Sequence, residues 1–289
     1  MANLKEIRTR IKSVQSTQQI TSAMKMVSAA KLRRAQDAIT RMRPYATKLQ
    51  DILENLSSTL DTSENLYAKE GTSEQTLIVA ISSNRGLAGA FNANVVKAVN
   101  AYIAQNPQED VKVLTLGKKV FDVFKKTDRV ENEGYDSDTH SVYENLHFEF
   151  VSGVAEEVMN HFTSGSYGKV FLVYNSFKNA ATQILKTEAF LPIQAPDGSD
   201  SRSQGEYIFE PSKEAIVEDL IPKSLKIQFY KALLDSYASE HAARMTAMHK
   251  ATDNAGELLK ELRLFYNKAR QAAITGEILE IVAGAEALD

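Results

Sequence analysis

The sequence predicts an α/β domain with a mostly parallel, Rossmann-like sheet, inserted between two long N- and C-terminal helices that form an antiparallel coiled coil. Three observations carry this. Both ends of the chain repeat apolar or small residues every 3.5 positions. The middle alternates continuous apolar runs with helical patterns, the signature of parallel strands joined by crossover helices. A proline interrupts or opens each periodic end, at Pro44 and Pro222.

The first helix is read over 1–60. Its seam runs Leu4, Ile7, Ile11, Val14, Gln18, Thr21, Lys25, Ser28, Leu32, Ala35, Ile39, Met42, Ala46 and Leu49, then Leu53, Leu56 and Leu60. The last helix is read over 222–289, starting at Pro222. Its seam runs Tyr230, Leu234, Tyr237, His241, Arg244, Met248, Ala251, Ala255, Leu258, Leu262, Phe265, Ala269, Ala272, Gly276, Leu279 and Ala283. At roughly 1.5 Å per residue such a helix is about 100 Å long, more than a globular domain can bury.

If both prolines mark the domain-side end of the pair, the helices are antiparallel and Leu4 faces a residue near 262. The polar stretch Gln18, Thr21, Lys25 and Ser28 then falls opposite 238–248, level with His241 and Arg244. Polar seam residues weaken a coiled coil but fix its register. Two readings of that layer stand side by side: register control, with or without a shift of the seam to Met24 and Val27, or a face turned toward another partner. Beyond residue 262 the last helix has no mate, yet it carries Ala273, Ile274, Ile278, Ile281, Val282 and Ala285. A stretch that apolar predicts a sleeve supplied by another protein.

The middle, 61–221, opens with a polar linker over 61–75. Thr76–Ser82 reads as a buried strand, followed by the turn Ser83–Gly89 and a helix through Val95, Val96, Val99 and Ile103. Val111–Gly117 is a second strand and Lys118–Lys126 a short helix. Residues 128–141 read as loop, and Phe148–Phe162 as an amphipathic helix. Val170–Tyr174 is a third strand. Thr182–Ile193 and Tyr207–Phe209 read as further strands around an Asp197–Asp200 loop, and 211–221 as a short helix before Pro222.

Composition narrows the function. The chain has 289 residues, 43% of them hydrophobic, enough for a sizeable core. Its formal net charge is -3, but the charge is unevenly placed. Residues 1–60 carry 11 basic side chains against 4 acidic ones, 222–289 is balanced, and the middle holds the acidic excess. A basic helix calls for acidic partner surfaces; nucleic acid is the rival, without aromatic interleaving to support it. The absence of cysteine excludes a disulfide framework. No run of apolar residues is long enough to span a membrane, and the chain enters its seam at Leu4 without a signal-peptide core, which reads as a bacterial cytoplasmic chain.

No catalytic constellation emerges. The turn Arg85-Gly-Leu-Ala-Gly89 sits where phosphate binds in α/β folds, but it lacks both the third glycine of a dinucleotide fingerprint and the Lys-Ser/Thr of a P-loop. Tight strand-to-helix packing explains its glycines equally well. The histidines are scattered, and His241 and His249 stand two turns apart on one helix. The acidic stretch at Asp136 and Asp138 reads as solvated. No catalytic residue, cofactor or metal site is expected. Two other classes stay open: a coiled-coil spacer whose basic helix contacts nucleic acid, and an α/β enzyme binding a small molecule at Gly86–Gly89.

Several blocks resemble a known family. Arg10–Lys31 (RIKSVQSTQQITSAMKMVSAAK) resembles the N-terminal helix of the γ subunits of F-type ATP synthases. Asn84–Asn92 is similar to that family's first turn, Ile274–Ala285 to its C-terminal signature, and Arg244–Met248 and Ala251–Ala255 to further blocks. Ala88 and Ala90 depart from the Cys and Gly more usual there, and the redox insert of chloroplast relatives is missing. The resemblance implies a non-catalytic rotor shaft, peripheral to the bacterial inner membrane on its cytoplasmic side. It would stand inside an α3β3 hexamer and on ε and a c-ring driven by protons. It also implies contacts to an acidic catch region of β at Met24, Lys25, Arg244, Gln271, Thr275 and Glu277, and a hexamer collar around Ile278, Ile281, Val282 and Ala285. Against the Arg244 contact stands a local pair with Glu240, which helical spacing permits.

Overall fold

The computed structural model describes residues 4–57, 66–68, 71, 73–193 and 213–286, with side chains of the two long helices at 4–49 and 219–285. The strand expected at Tyr207–Phe209 and the Asp197–Asp200 loop lie outside these residues, as does most of the 61–75 linker.

Helix α1 runs Leu4–Ser57 and helix α5 runs Lys213–Glu286. Neither proline ends a helix. Pro44 lies inside α1 and Pro222 inside α5, so the short helix expected before Pro222 is the first part of α5. An interior proline removes a backbone donor and costs about 3 kcal/mol. Tertiary burial just beyond it offsets this in α5, where Leu225, Ile227 and Phe229 are all buried. The expectation that α5 starts at Pro222 weighed local propensity alone.

The chain forms two compact units, each drawing on both helices. The sheet unit is 30–243. Its strands are β1 (Gln75–Ile81), β2 (Asp110–Leu116), β3 (Lys169–Phe177) and β4 (Gln183–Leu191), in the order β2-β1-β3-β4. β1 pairs in parallel with β2 and β3, while β4 is an antiparallel edge. Alternate residues of β1 feed two cores. Ile78 and Ala80 meet Val95 and Val99 of α2 (Phe91–Gln105) and Val120 and Phe124 of α3 (Lys118–Phe124). Leu77, Val79 and Ile81 meet Val154 and Val158 of α4 (Phe148–Thr163) and Phe229 and Leu233 of α5. A central strand covered on both faces has to be apolar throughout, which explains the unbroken run from Leu77.

The stretch read as loop after α3 also closes the β2 edge. Val113 N–H donates to the Arg129 carbonyl (2.7 Å) and Glu131 N–H to the Val113 carbonyl (3.1 Å). Below β1, Glu109 accepts from Thr76 (2.9 Å) and Tyr102 (3.0 Å) and pairs with Lys169 (3.3 Å). Burial alone would raise its pKa, but these donors outweigh burial and hold the carboxyl below its usual range. Burial and the same bond push the Tyr102 phenol up to about 12. One short cluster thus ties α2 to the starts of β1, β2 and β3.

The α1 seam keeps its heptad phase. Every seam position from Leu4 to Leu49 is buried or half-buried, and Val27 is 57% exposed, so the seam does not shift through its polar stretch. The α5 seam changes phase instead. Beyond Ala255 the shielded positions are Gly256, Leu259, Leu262, Tyr266, Ala269, Ala273 and Gly276, while Leu258 and Phe265 are exposed. Both phases offer apolar residues here, so periodicity alone does not choose between Leu258 and Leu259.

Candidate partner-binding surface

In the coil unit, residues 1–29 and 244–289, contacts across the pair fix the register. The Arg8 guanidinium donates to the Tyr266 hydroxyl (2.7 Å), and its carbon lies 5.7 Å from that ring's centre. Lys25 Nζ lies 3.3 Å from His249 Nδ1. The hydroxyls of Thr21 and Thr252 are 2.8 Å apart. A Cβ on Gly256 would come within 3.1 Å of the Gln18 amide nitrogen, so this glycine sits close under α1.

These pairs run antiparallel, as expected. They are displaced about two helical turns from the register read off the prolines. Thr21 meets Thr252 rather than a residue near 245. Gln18, Thr21 and Lys25 therefore face Gly256, Thr252 and His249. Met24 is not opposite Arg244 either; the register sets them almost two turns apart.

The layer is bonded, not merely polar. Each threonine has one hydroxyl proton. Thr21 also reaches the Gln18 carbonyl (3.0 Å) and Thr252 the Met248 carbonyl (2.8 Å). One hydroxyl donates across the pair and the other back to its own helix. His249 Nδ1 faces both Lys25 and Asp253 Oδ2, the latter at 3.3 Å. These partners were not singled out from sequence. Their signal was the coincidence of small polar residues at seam spacing on both helices.

The start of the glycine turn is tied to α3 through its acceptors. Asn84 Oδ1 accepts from Lys118 N (3.0 Å), the Ser83 carbonyl from Lys119 N (3.1 Å) and Ser82 Oγ from Val120 N (3.1 Å). The first amides of α3 are thereby capped. Ser83 and Asn92 bond each other, and Asn84 donates to the His140 carbonyl (2.8 Å). The glycine with no substitute here is Gly117, which the sequence reading passed over. At φ 101° its Cβ would lie 2.1 Å from the Ser82 carbonyl oxygen. Among the described residues no group of three His, Cys, Asp or Glu side chains could hold a metal ion, and no helix is long and apolar enough to cross a membrane.

The family described as ATP synthase matches residues 3–288. ATP synthase gamma chains of Flavobacterium johnsoniae and Amoebophilus asiaticus are 58% and 50% identical to this chain, each over 100% of it and over 100% and 99% of their own length. This chain belongs to the ATP synthase gamma-chain family.

The gamma chain of Chlorobium phaeobacteroides is 46% identical, again over 100% of this chain and 99% of its own. Among solved structures, a chain from the Tetrahymena thermophila mitochondrial ATP synthase central stalk and c-ring matches with TM-score 0.58. It is 26% identical, covering 80% of this chain and 99% of its own. A chain of the Euglena gracilis ATP synthase shares the fold at TM-score 0.66 and 23% identity, covering 99% of this chain and 94% of its own. This gamma chain thus has the long paired helices and mostly parallel sheet expected of it.

The coil unit holds every partner-contact residue that the resemblance implies. Gln271, Thr275 and Glu277 are exposed, Met24 and Lys25 half-buried. Arg244 is 7% exposed and already engaged inside the chain. The Thr275 hydroxyl donates to the Gln271 carbonyl (2.9 Å), which leaves its lone pairs outward. Ile278, Ile281, Val282 and Ala285 stand exposed, Ile281 at 71%. With pairing carried to Arg8–Tyr266, the unmatched tail starts near 270 rather than 262.

Proposed function

We propose that this gamma chain is the central rotor shaft of a proton-driven F-type ATP synthase. It has no active site of its own. It works at the cytoplasmic face of a bacterial inner membrane, as a peripheral part of the complex, with a c-ring and ε at its base and an α3β3 hexamer around its coil. Rotation of the ring turns the shaft, and the shaft drives three β sites through their states in sequence. A shaft can do this only by contacting different β conformations with different free energy. An asymmetric helical pair meets that requirement; a threefold-symmetric one would not.

The observation that carries this reading is the tail of α5, whose Ile278, Leu279, Ile281 and Val282 are exposed in the isolated chain. A helix end with so broad a bare apolar face calls for a partner to cover it. In the proposal Ile278, Ile281, Val282 and Ala285 turn inside the hexamer's collar. Met24, Lys25, Gln271, Thr275 and Glu277 meet the acidic catch region of β, together with the exposed part of Arg244.

The test is assembly of this chain with its hexamer, followed by ATP-driven proton pumping. The wild-type chain should co-purify with a hexameric ATPase, and Arg244→Ala should lower pumping or assembly yield. A wild-type chain that never joins a hexamer would overturn the reading. Undiminished pumping by Arg244→Ala would remove Arg244 from the contact set.

A further inference from the structure

The face of α5 that lies on the sheet is mostly apolar: Leu225, Phe229, Ala232 and Leu233 are buried there. Polar side chains interrupt it: Ser236, fully buried, accepts from the Tyr143 hydroxyl (3.3 Å), while Gln228 and Asp235, seven residues apart and so on one side of the helix, reach the sheet itself. Gln228 Nε2 donates to Glu188 Oε1 of β4 at 2.7 Å. The other oxygen of that carboxylate accepts from the Tyr174 hydroxyl of β3 at 2.6 Å. Asp235 Oδ2 accepts from Ser176 Oγ of β3 at 2.9 Å. Leu172 of β3 stands opposite Glu188, and Ser176 lies two residues beyond Tyr174 on the same face. The two contacts therefore pin α5 at two levels of one sheet face.

We infer that Gln228 and Asp235 are positioning residues that hold α5 in a single register on the sheet, so that turning force passes between sheet and helix without slip. The inference rests on the rotor reading above for its function, though not for its geometry. Apolar contact is non-directional, and a helix can slide or roll on it at modest cost. Bonds to carboxylates are directional. A slip of one turn, about 5.4 Å, would strand the Asp235 carboxylate without its Ser176 donor and take Gln228 from Glu188, which would keep only Tyr174. Polar groups inside an apolar interface fix register in this way at some cost in stability. That cost is visible here: burial pushes the Asp235 carboxyl above its usual range, against the opposing pull of Ser176, Lys231 and Lys186 and with Glu188 adding to it.

The experiment uses the full chain assembled in a reconstituted ATP synthase. The double variant Gln228→Leu/Asp235→Leu keeps the interface apolar but removes both directional contacts. It should co-purify and hydrolyse ATP as wild type does, yet pump at least twofold fewer protons per ATP. Asp235→Asn, which still accepts from Ser176, should keep the wild-type ratio. An unchanged ratio in the double variant would overturn the inference, and so would an equal loss in Asp235→Asn. Should the double variant not fold, Ser176→Ala removes one donor with the helix untouched and carries the same expectation at smaller size. A wild-type chain that does not assemble would count against the rotor reading instead. Amide exchange in the isolated chain then decides on the lock: at least tenfold faster exchange across 225–240 in the double variant supports it, and equal exchange refutes it.

Discussion

One helix lives in two environments. Between Leu225 and Ala243, within the sheet unit, α5 is shielded on nearly every side, with even Ser236, Ser239 and Glu240 buried. From Arg270 on, within the coil unit, nearly every side chain is exposed, among them Ile274, Ile278, Leu279, Ile281 and Val282. The buried stretch carries more polar residues than the bare one. Burial along this helix follows the partners within reach, not the local hydropathy. The buried stretch reports the fold of this chain; the bare stretch reports a surface that only another chain can cover.

The sharpest way to break that contrast is to truncate one large side chain in each environment. Phe229 is fully buried, with its ring 5.7 Å from that of Phe190. Phe229→Ala should cost about 3–5 kcal/mol in denaturant unfolding of the isolated chain. Ile281→Ala should stay within about 0.5 kcal/mol of wild type in the same experiment. If the two lost stability equally, the tail would be part of this chain's own core.

Gly117→Ala sets a second contrast, between a glycine that is needed and one that is not. The new methyl would overlap the Ser82 carbonyl in a left-handed backbone, with an expected loss of about 3 kcal/mol or more. Gly86→Ala, where a Cβ meets nothing within 4 Å, should be near neutral by thermal melt. Equal losses would mean that the turn, not the strand end, is the strained point.

The comparison also marks how far the sequence could be read. From Leu4 to Leu49 the α1 seam was legible residue by residue, even through Gln18 and Lys25, because one face of a helix must repeat at a fixed step whatever its polarity. The register was not. It was reckoned from Pro44 and Pro222 as helix ends, and both helices continue through them. The tail was legible as unmatched but began about two turns too early. Gly117 was missed although it stands between a strand and a helix, because close approach to Ser82 depends on a neighbouring strand that spacing does not reveal. The Gln228 and Asp235 contacts were missed for the same reason: their partners sit on β3 and β4.

Asp235 gives the comparison a pH axis. Its carboxyl is raised above 3.8 in the fold by burial, so the native state holds this proton more tightly than the unfolded chain does. Between 3.8 and the raised value the native state binds more protons, and stability falls as pH rises through that window. Asp235→Asn lacks this penalty. Its melting temperature should gain on wild type as pH rises from about 4 and then hold a constant margin. A margin that shrinks with rising pH would mean that the charged form is the better bound.

The smallest effect belongs where pairing ends. Tyr266→Phe removes the hydroxyl that accepts from Arg8 but keeps the ring beneath the guanidinium. Arg8 is exposed, so water replaces the lost acceptor and the expected loss is about 0.5–1 kcal/mol. The local readout is more telling than the global one. Amide exchange near residues 4–8 and 266–270 should quicken in Tyr266→Phe while that near Thr21 and Thr252 stays put, because the threonine layer holds its own register. If exchange quickened along the whole pair, the last contact before the bare tail would be fixing the coil, and the polar layer would not.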